Sequence, residues 1–326
     1  MELKGKSLLT LLDYTPEEIS YLLDYAGRLK EKKKAGIRDE LLKRKNLVMF
    51  FMKTSTTTRC SFEVAARDEG ASVIDLTNSQ AGSNESIPDT ARLLGRMFDG
   101  IVFRGYKQSA LVAFAEKAGV PVYNALTNEY HPMQALADAL TIKENTDKDN
   151  DKIKVVYTGD ARNNVANSLM IVCAKLGMNY TAIAPQSLFP SKRLADDMTE
   201  LCRSTGGSIT LTDDMQAIEG ADAVYTDVWV SLGEDDKFEE RIRLLNKYQV
   251  NSDVMRMTGN EKAVFLHCLP ANHDTNTRVG RKIYEKYGIK EMEVTDEVFN
   301  SPASRVYDQA ENTIHAVKAV LLSTLI

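Results

Sequence analysis

Six short segments concentrate the side chains able to do chemistry. The first, Ser55-Thr56-Thr57-Thr58-Arg59, sets four hydroxyls and a guanidinium between the apolar run Asn46 to Met52 and a helix-like stretch from Cys60 to Arg67. Backbone N–H groups at a helix start, with the positive end of the helix dipole, attract anions. The loop therefore reads as an anion site, with Lys53 and Arg59 adding charge. N-capping by Ser or Thr accounts for the same hydroxyls without a ligand. Phe103-Arg104-Gly105 puts a guanidinium directly after an apolar run, at a strand's carboxyl edge or simply in solvent. In His131-Pro132-Met133-Gln134 the proline fits the first turn of a helix. That arrangement either aims His131 and Gln134 from one helix end or uses the histidine to cap a turn.

Three more segments lie in the second half. Thr158-Gly159-Asp160-Ala161-Arg162-Asn163-Asn164 follows one apolar run and opens the helical pattern of residues 164–176. It has a single glycine where a dinucleotide fold carries GxGxxG, which disfavours nicotinamide or flavin. Its paired asparagines suit a small polar ligand. Asp227-Val228-Trp229-Val230-Ser231-Leu232-Gly233 supplies an acid and a hydroxyl after another strand-like run, as an ammonium-bearing ligand would need, or as an ordinary capping loop would. In His267-Cys268-Leu269-Pro270-Ala271 the thiol fits a small buried side chain as well as a reactive one. The Leu-Pro bond is of the type that can be cis.

These segments need a frame that brings them to strand ends. Short apolar runs at 46–52, 72–76, 100–103, 120–123, 153–157, 179–184, 209–212, 223–226 and 263–267 alternate with helical patterns. Residues 8–34 carry one or two amphipathic helices, and the last helix is expected from about Ala310 to Leu325. The alternation predicts α/β architecture: two domains, each a mainly parallel sheet flanked by helices. The run 144–152, without an apolar residue, marks a boundary or exposed connection. The expected division is 1–143, 153–309, and a C-terminal helix at 310–326. Ligands in open parallel sheets sit beyond the strands' carboxyl ends, which places an active site in an interdomain cleft.

Bulk properties narrow the function. A chain of 326 residues fits two domains of about 150 residues each. It is 43% hydrophobic and 27% charged, with net charge -5 and pI about 5.6. This balance disfavours a nucleic-acid or anionic-membrane partner held by bulk charge. No run of about 18 apolar residues predicts a membrane helix. The N-terminus lacks a signal-peptide pattern. Cys60, Cys173, Cys202 and Cys268 are widely spaced, so neither disulfides nor a zinc cluster is expected, and a reducing cytoplasm is the simplest setting.

Taken in order, the segments resemble the aspartate/ornithine carbamoyltransferase family, its ornithine branch in particular, along nearly the whole chain. The resemblance rests on Thr-Arg-Cys-Ser-Phe-Glu-Val-Ala-Ala (58–66), Asp-Thr-Ala-Arg-Leu-Leu-Gly-Arg-Met (89–97) and Leu-Thr-Asn-Glu-Tyr-His-Pro-Met-Gln (126–134). It extends through Gly-Asp-Ala-Arg-Asn-Asn (159–164), Thr-Asp-Val-Trp-Val-Ser-Leu-Gly-Glu (226–234) and His-Cys-Leu-Pro-Ala (267–271).

The resemblance implies a carbamoyl-phosphate domain followed by an ornithine domain, and a homotrimer with sites at subunit borders. It implies that Ser55, Thr56, Thr57 and Thr58 line the phosphate, and that Arg104, His131 and Gln134 hold and polarise the carbamoyl oxygen. Gln80 would reach into the neighbouring subunit's site. Asn164, Asp227, Ser231 and Leu232 would hold ornithine. Cys268 and Leu269 would lie between the two ligands, with Leu269–Pro270 cis. No metal or organic cofactor is implied. The loop at 231–233 resembles the ornithine-selecting Ser-Met-Gly, with Leu for Met, a volume-conserving exchange.

Two positions depart from the family. Its anion loop reads Ser-Thr-Arg-Thr-Arg and its C-terminal helix Glu-Asn-Arg, whereas this chain has Thr57 and Thr313. Both arginines contact carbamoyl phosphate in the family. At about 1.5–3 kcal/mol per charge-assisted hydrogen bond, two losses come to roughly 3–6 kcal/mol, about 10²- to 10⁴-fold in affinity. Lys53, Arg59, Arg104 and Arg305 are the cations available to compensate. Weak donor binding suits an enzyme running from citrulline toward carbamoyl phosphate, as in arginine breakdown. The same departures leave open an impaired partner subunit, or a transferase of altered donor or acceptor.

Overall fold

The computed structural model describes residues 2–76, 84–230 and 234–326. The chain divides into two compact units: Met1–Leu140 together with Ala310–Ile326, and Thr141–Gln309.

In the first unit a short 3-10 turn at Leu11–Asp13 precedes helix α1 (Pro16–Lys34). Thr15 starts α1 by a capping box: its hydroxyl accepts from Glu18 N, and the Glu18 carboxylate accepts from Thr15 N. Ile19, Leu22, Leu23, Ala26 and Leu29 form its buried face. Then β1 (Asn46–Phe51), α2 (Thr56–Asp68), β2 (Ser72–Leu76), α3 (Ile87–Met97), β3 (Gly100–Arg104), α4 (Gln108–Ala118), β4 (Val122–Leu126) and α5 (Pro132–Glu144) alternate. The four strands pair in parallel in the order β2-β1-β3-β4. Burial on both faces explains why β1 and β3 are continuous apolar runs. Phe50, Phe103 and Phe114 pack with ring centroids 5.3–5.6 Å apart. Gly95 lets α3 approach α4 closely: a Cβ there would lie 1.6 Å from the Ala118 carbonyl oxygen.

The second unit runs β5 (Lys154–Thr158), α6 (Asn164–Leu176), β6 (Asn179–Ile183), α7 (Lys192–Thr205), β7 (Ser208–Thr212) and β8 (Ala223–Thr226). It continues with α8 (Phe238–Leu245), α9 (Ser252–Met257), β9 (Val264–His267), α10 (Arg278–Tyr287) and α11 (Asp296–Phe299). Its five strands are parallel, ordered β7-β6-β5-β8-β9. Val156, Ile183, Val224, Trp229, Tyr248, Phe265 and Met292 belong to its core. The last helix, α12 (Val306–Leu325), returns from Ala310 onward to the first unit. There Lys318 Nζ pairs with Asp68 at 3.0 Å and Glu69 at 3.4 Å, and Thr324 Oγ1 lies 2.7 Å from the Tyr123 hydroxyl.

The two-domain α/β class expected from the sequence is the fold observed. Three edges differ. Helix α2 begins at Thr56, not Cys60, because Ser55 caps it and the threonines form its first turn. Strand β4 runs Val122–Leu126, not 120–123, since Pro121 has no N–H to donate to a ladder and pairing starts after it. Helix α12 starts at Val306, four residues early. No helix among the described residues is long and apolar enough to cross a membrane.

Candidate active site

Strand order decides where each unit can bind a ligand. In the first unit the chain leaves β1 for β2 on one side, then crosses back to β3 and β4 on the other. In the second, β5 leads outward to β6 and β7 before the chain returns to β8 and β9. At such switch points the loops leaving two adjacent strands diverge and open a crevice at the carboxyl ends. The crevice-forming pairs are β1 with β3 and β5 with β8.

At the first switch point stand Lys53 to Thr58 and Arg104. Ser55 adopts extended backbone, and its Oγ accepts from Thr58 N at 3.2 Å. This is the N-cap alternative, realised. A hydroxyl that accepts one bond keeps a proton to donate, so capping and anion binding are compatible here. Arg104 is buried, with Nη1 donating to Thr58 Oγ1 at 3.3 Å and to Ala125 O at 3.4 Å. Thr56 and Thr57 occupy the first turn of α2, where free N–H groups point outward. His131 and Gln134 are buried at the start of α5, and Gln134 Nε2 donates to Asp138 Oδ1 at 2.8 Å. Burial, and then the Arg104 charge, push the His131 imidazole down to about 3. It is neutral at physiological pH and can donate a hydrogen bond without adding charge.

The remaining cations fall into different places. Lys53 Nζ donates to Asn128 Oδ1 at 2.7 Å and sits 4.2 Å from the centre of the Tyr106 ring. Burial, then Arg104, lower its pKa. Arg59, expected to add charge to the loop, instead pairs with Asp75 Oδ2 at 2.8 Å at the end of β2. Arg305 belongs to the other unit and donates to Asn145 Oδ1, Pro302 O and Ser304 O. Thr313 is buried on α12 beside Asn312, whose Oδ1 accepts from Lys30 Nζ at 2.8 Å.

At the second switch point, Asn163 caps α6 through Oδ1, which accepts from Ala166 N at 2.7 Å. Its Nδ2 donates to the Tyr157 hydroxyl at 2.8 Å and to Asp227 Oδ2 at 3.2 Å. Asn164 is the first helical residue and half-buried. Burial pushes Asp227 up to about 7; nearby His267 and the Val228 N–H partly oppose this, while Glu293 and Asp160 reinforce it. Asp160 is held in turn by the buried Arg241, at 3.1 Å. Gly159 takes φ of +123°, a conformation few side chains tolerate, and turns the chain beside Trp229. At the end of β9, His267 Nδ1 lies 2.6 Å from Cys268 O, and the Leu269–Pro270 peptide is cis. Cys268 is half-buried, and its Sγ lies 4.0 Å from Leu269 O.

The structure thus gathers Ser55, Thr56, Thr57, Thr58 and Arg104 at one switch point, and Asn164 and Asp227 at the other. Gln80, Ser231 and Leu232 lie outside the described residues. Sequence reasoning missed Tyr157, Arg241 and Glu293. Each acts on a site residue from a distance in sequence, and no local pattern marks them.

Residues 6–144 match the aspartate/ornithine carbamoyltransferase carbamoyl-P binding domain, and residues 151–324 match the Asp/Orn binding domain of the same family. The chain belongs to the aspartate/ornithine carbamoyltransferase family, and is a carbamoyltransferase. Among its relatives, the catabolic ornithine carbamoyltransferase of Bacillus licheniformis is 52% identical, covering 100% of this chain and 98% of the relative. The catabolic ornithine carbamoyltransferase of Clostridium perfringens is 50% identical over 99% of this chain and 98% of its own. The solved ornithine carbamoyltransferase of Pyrococcus furiosus superposes with a TM-score of 0.89 at 41% identity, covering 100% of this chain and 98% of that one.

Proposed function

We propose that the protein transfers the carbamoyl group between phosphate and the δ-amine of L-ornithine, with carbamoyl phosphate and citrulline as the two carbamoyl compounds. The observation that carries this reading is the buried Arg104 held against Thr58 at the β1/β3 switch point, at the N-terminus of α2. A cation, several hydroxyls and free helix N–H groups converge there, as the phosphate of a small acyl phosphate requires.

In the proposed reaction the neutral δ-amine attacks the carbamoyl carbon. A C–N bond forms, the C–O bond to phosphate breaks, and the amine's proton leaves on a phosphate oxygen. Arg104, the neutral His131 and Gln134 stabilise the oxyanion that develops on the carbamoyl oxygen, work for which fixed donors in a dry site are suited. Ser55, Thr56, Thr57 and Thr58 hold the phosphate. Asn164 and Asp227, with Ser231 and Leu232, hold the amino-acid end of ornithine. Cys268, Leu269 and Thr313 complete the ligand contacts, and Gln80 serves a neighbouring subunit in a homotrimer.

The names of the 50–52% identical relatives support the catabolic direction in arginine metabolism, and the widely spaced cysteines support a cytoplasmic setting. Weak donor affinity, expected from Thr57 and Thr313, suits an enzyme that releases carbamoyl phosphate. The domain division proposed is 1–143 for the donor, 153–309 for the acceptor, and 310–326 packing back on the donor domain.

Steady-state citrulline formation from carbamoyl phosphate and ornithine, with aspartate and putrescine as control acceptors, tests the reading. Phosphorolysis of citrulline tests the direction. Absence of citrulline at millimolar donor overturns the proposal. Light scattering in solution tests the trimer.

A further inference from the structure

We infer that Asn163 is a positioning residue, which holds the Asp227 carboxylate in place for the acceptor's ammonium group by linking the two strands of the second switch point. The inference rests on the acceptor role proposed for Asp227 and adds a residue to which no role has been assigned.

One amide makes three bonds across the crevice. Oδ1 accepts from Ala166 N at 2.7 Å and fixes the start of α6. Nδ2 donates to Tyr157 OH at 2.8 Å, from β5, and to Asp227 Oδ2 at 3.2 Å, just beyond β8. The cap alone does not explain an asparagine here, because Asp, Ser or Asn cap a helix about equally well. Of the three, aspartate cannot donate to a carboxylate and serine is too short to reach Asp227, so the asparagine amide alone caps the helix and donates to that carboxylate. Its second anchor is rigid: the Tyr157 ring is buried and lies 5.9 Å from the Tyr225 ring, nearly parallel. Tyr225 is held in turn, its hydroxyl accepting from Gln309 Nε2 at 2.8 Å, while Gln309 Oε1 accepts from His267 N at 3.1 Å. Strands β5, β8 and β9 are thereby tied at their carboxyl ends, and Asp227 is the carboxylate they orient. A buried carboxylate without such donors is costly. A carboxylate left to rotate would meet the ammonium group in only part of its conformations.

Two substitutions separate the cap from the link. Asn163→Asp keeps the cap and turns the donor into a second acceptor facing Asp227. Asn163→Ser keeps the cap and is too short to reach Asp227. Both are expected to fold and to keep the native carbamoyl-phosphate KM. Both are expected to raise the ornithine KM by about tenfold, the worth of one hydrogen bond to a charged group, with Asn163→Asp the worse. An ornithine KM within twofold of native in both folded variants overturns the inference, as does an equal rise in both substrates' KM. If neither variant folds, Tyr157→Phe decides: it removes one anchor of the amide and should raise the ornithine KM alone, and an unchanged KM overturns the inference. Should the native protein form no citrulline, the functional reading fails instead, so the two failures are distinct.

Discussion

His267 Nε2 lies 3.3 Å from Glu293 Oε1, and both side chains are fully enclosed. Burial alone drives the imidazole pKa down, but the Glu293 carboxylate outweighs it, with Asp227 and the Cys268 carbonyl adding, and the net shift is upward. Burial likewise raises the Glu293 pKa, and His267 and the Asn272 N–H outweigh it, so the net shift is downward. The raised histidine contributes stability below its ordinary 6.5 and loses it as pH rises through the folded value. The lowered glutamate contributes above its ordinary 4.5 and loses it as pH falls through the folded value. The pair is therefore fully stabilising between pH 4.5 and 6.5. Glu293→Gln should cost about 3 kcal/mol there, and less at alkaline pH. Urea titrations of both proteins across pH check this; a pH-independent difference contradicts it.

Asp227 shares the sign of His267 and opposes that of Glu293. Its pKa is pushed up to about 7, from 3.8, so charging it destabilises the ligand-free unit progressively as pH rises through 7. An ammonium ligand relieves that cost only when the carboxylate is charged. Ornithine should thus raise the thermal midpoint more at pH 8 than at pH 6, and its KM should fall over the same interval. A thermal-shift titration of ornithine at the two pH values measures it. Charges facing Asp227 are those of His267, Glu293 and Asp160, and their own titration would shape the curve's edges.

Lys53 is the cation best placed to offset Thr57. Among the described residues no carboxylate pairs with it, whereas Arg59 is taken by Asp75. Lys53→Met should raise the carbamoyl-phosphate KM by about tenfold and leave the ornithine KM unchanged. Thr57→Arg should lower the donor KM by about tenfold, since position 57 lies in the first turn of α2. Initial rates with each substrate varied will show both effects or neither.

Arg104→Lys keeps the charge and loses the planar fork that reaches Thr58 Oγ1 and Ala125 O. A fall in kcat of about 10²-fold is expected, the scale of one misplaced oxyanion donor. A kcat within threefold of native assigns the charge development elsewhere.

Gly95 belongs to a segment that carried the family resemblance, yet its role is packing. Gly95→Ala drives a methyl into the Ala118 carbonyl, and a loss of about 3 kcal/mol is expected from such overpacking. Chemical denaturation of the variant measures it.

Much of this was legible in the sequence because it is local. The helix expected at 164–176 and the strand expected at 223–226 match α6 and β8 residue for residue. Apolar periodicity and a capping asparagine are properties of neighbouring residues. Arg104 and Asp227 were found because a polar side chain directly after a buried strand has few places to go. What could not be read is long-range. Nothing near Glu293 announces that it faces His267, and nothing near Asp75 announces that it captures Arg59. The strand orders that create both crevices depend on pairing between segments far apart in the chain.

The division of α12 between the units bears on how the protein is made. The first unit is discontinuous: Val317, Ala319, Val320, Leu321 and Leu322 are buried in it, although the ribosome adds them after the whole second unit. The second unit is one continuous stretch and can close as soon as it emerges. Until α12 has been made, the nascent first unit lacks this helix, leaving Tyr123, Asp68 and Glu69 without Thr324 and Lys318. Nascent chains released at residue 309 should therefore give a protease-resistant second unit beside a first unit still open to cleavage, so that maturation proceeds from the middle of the polypeptide outward.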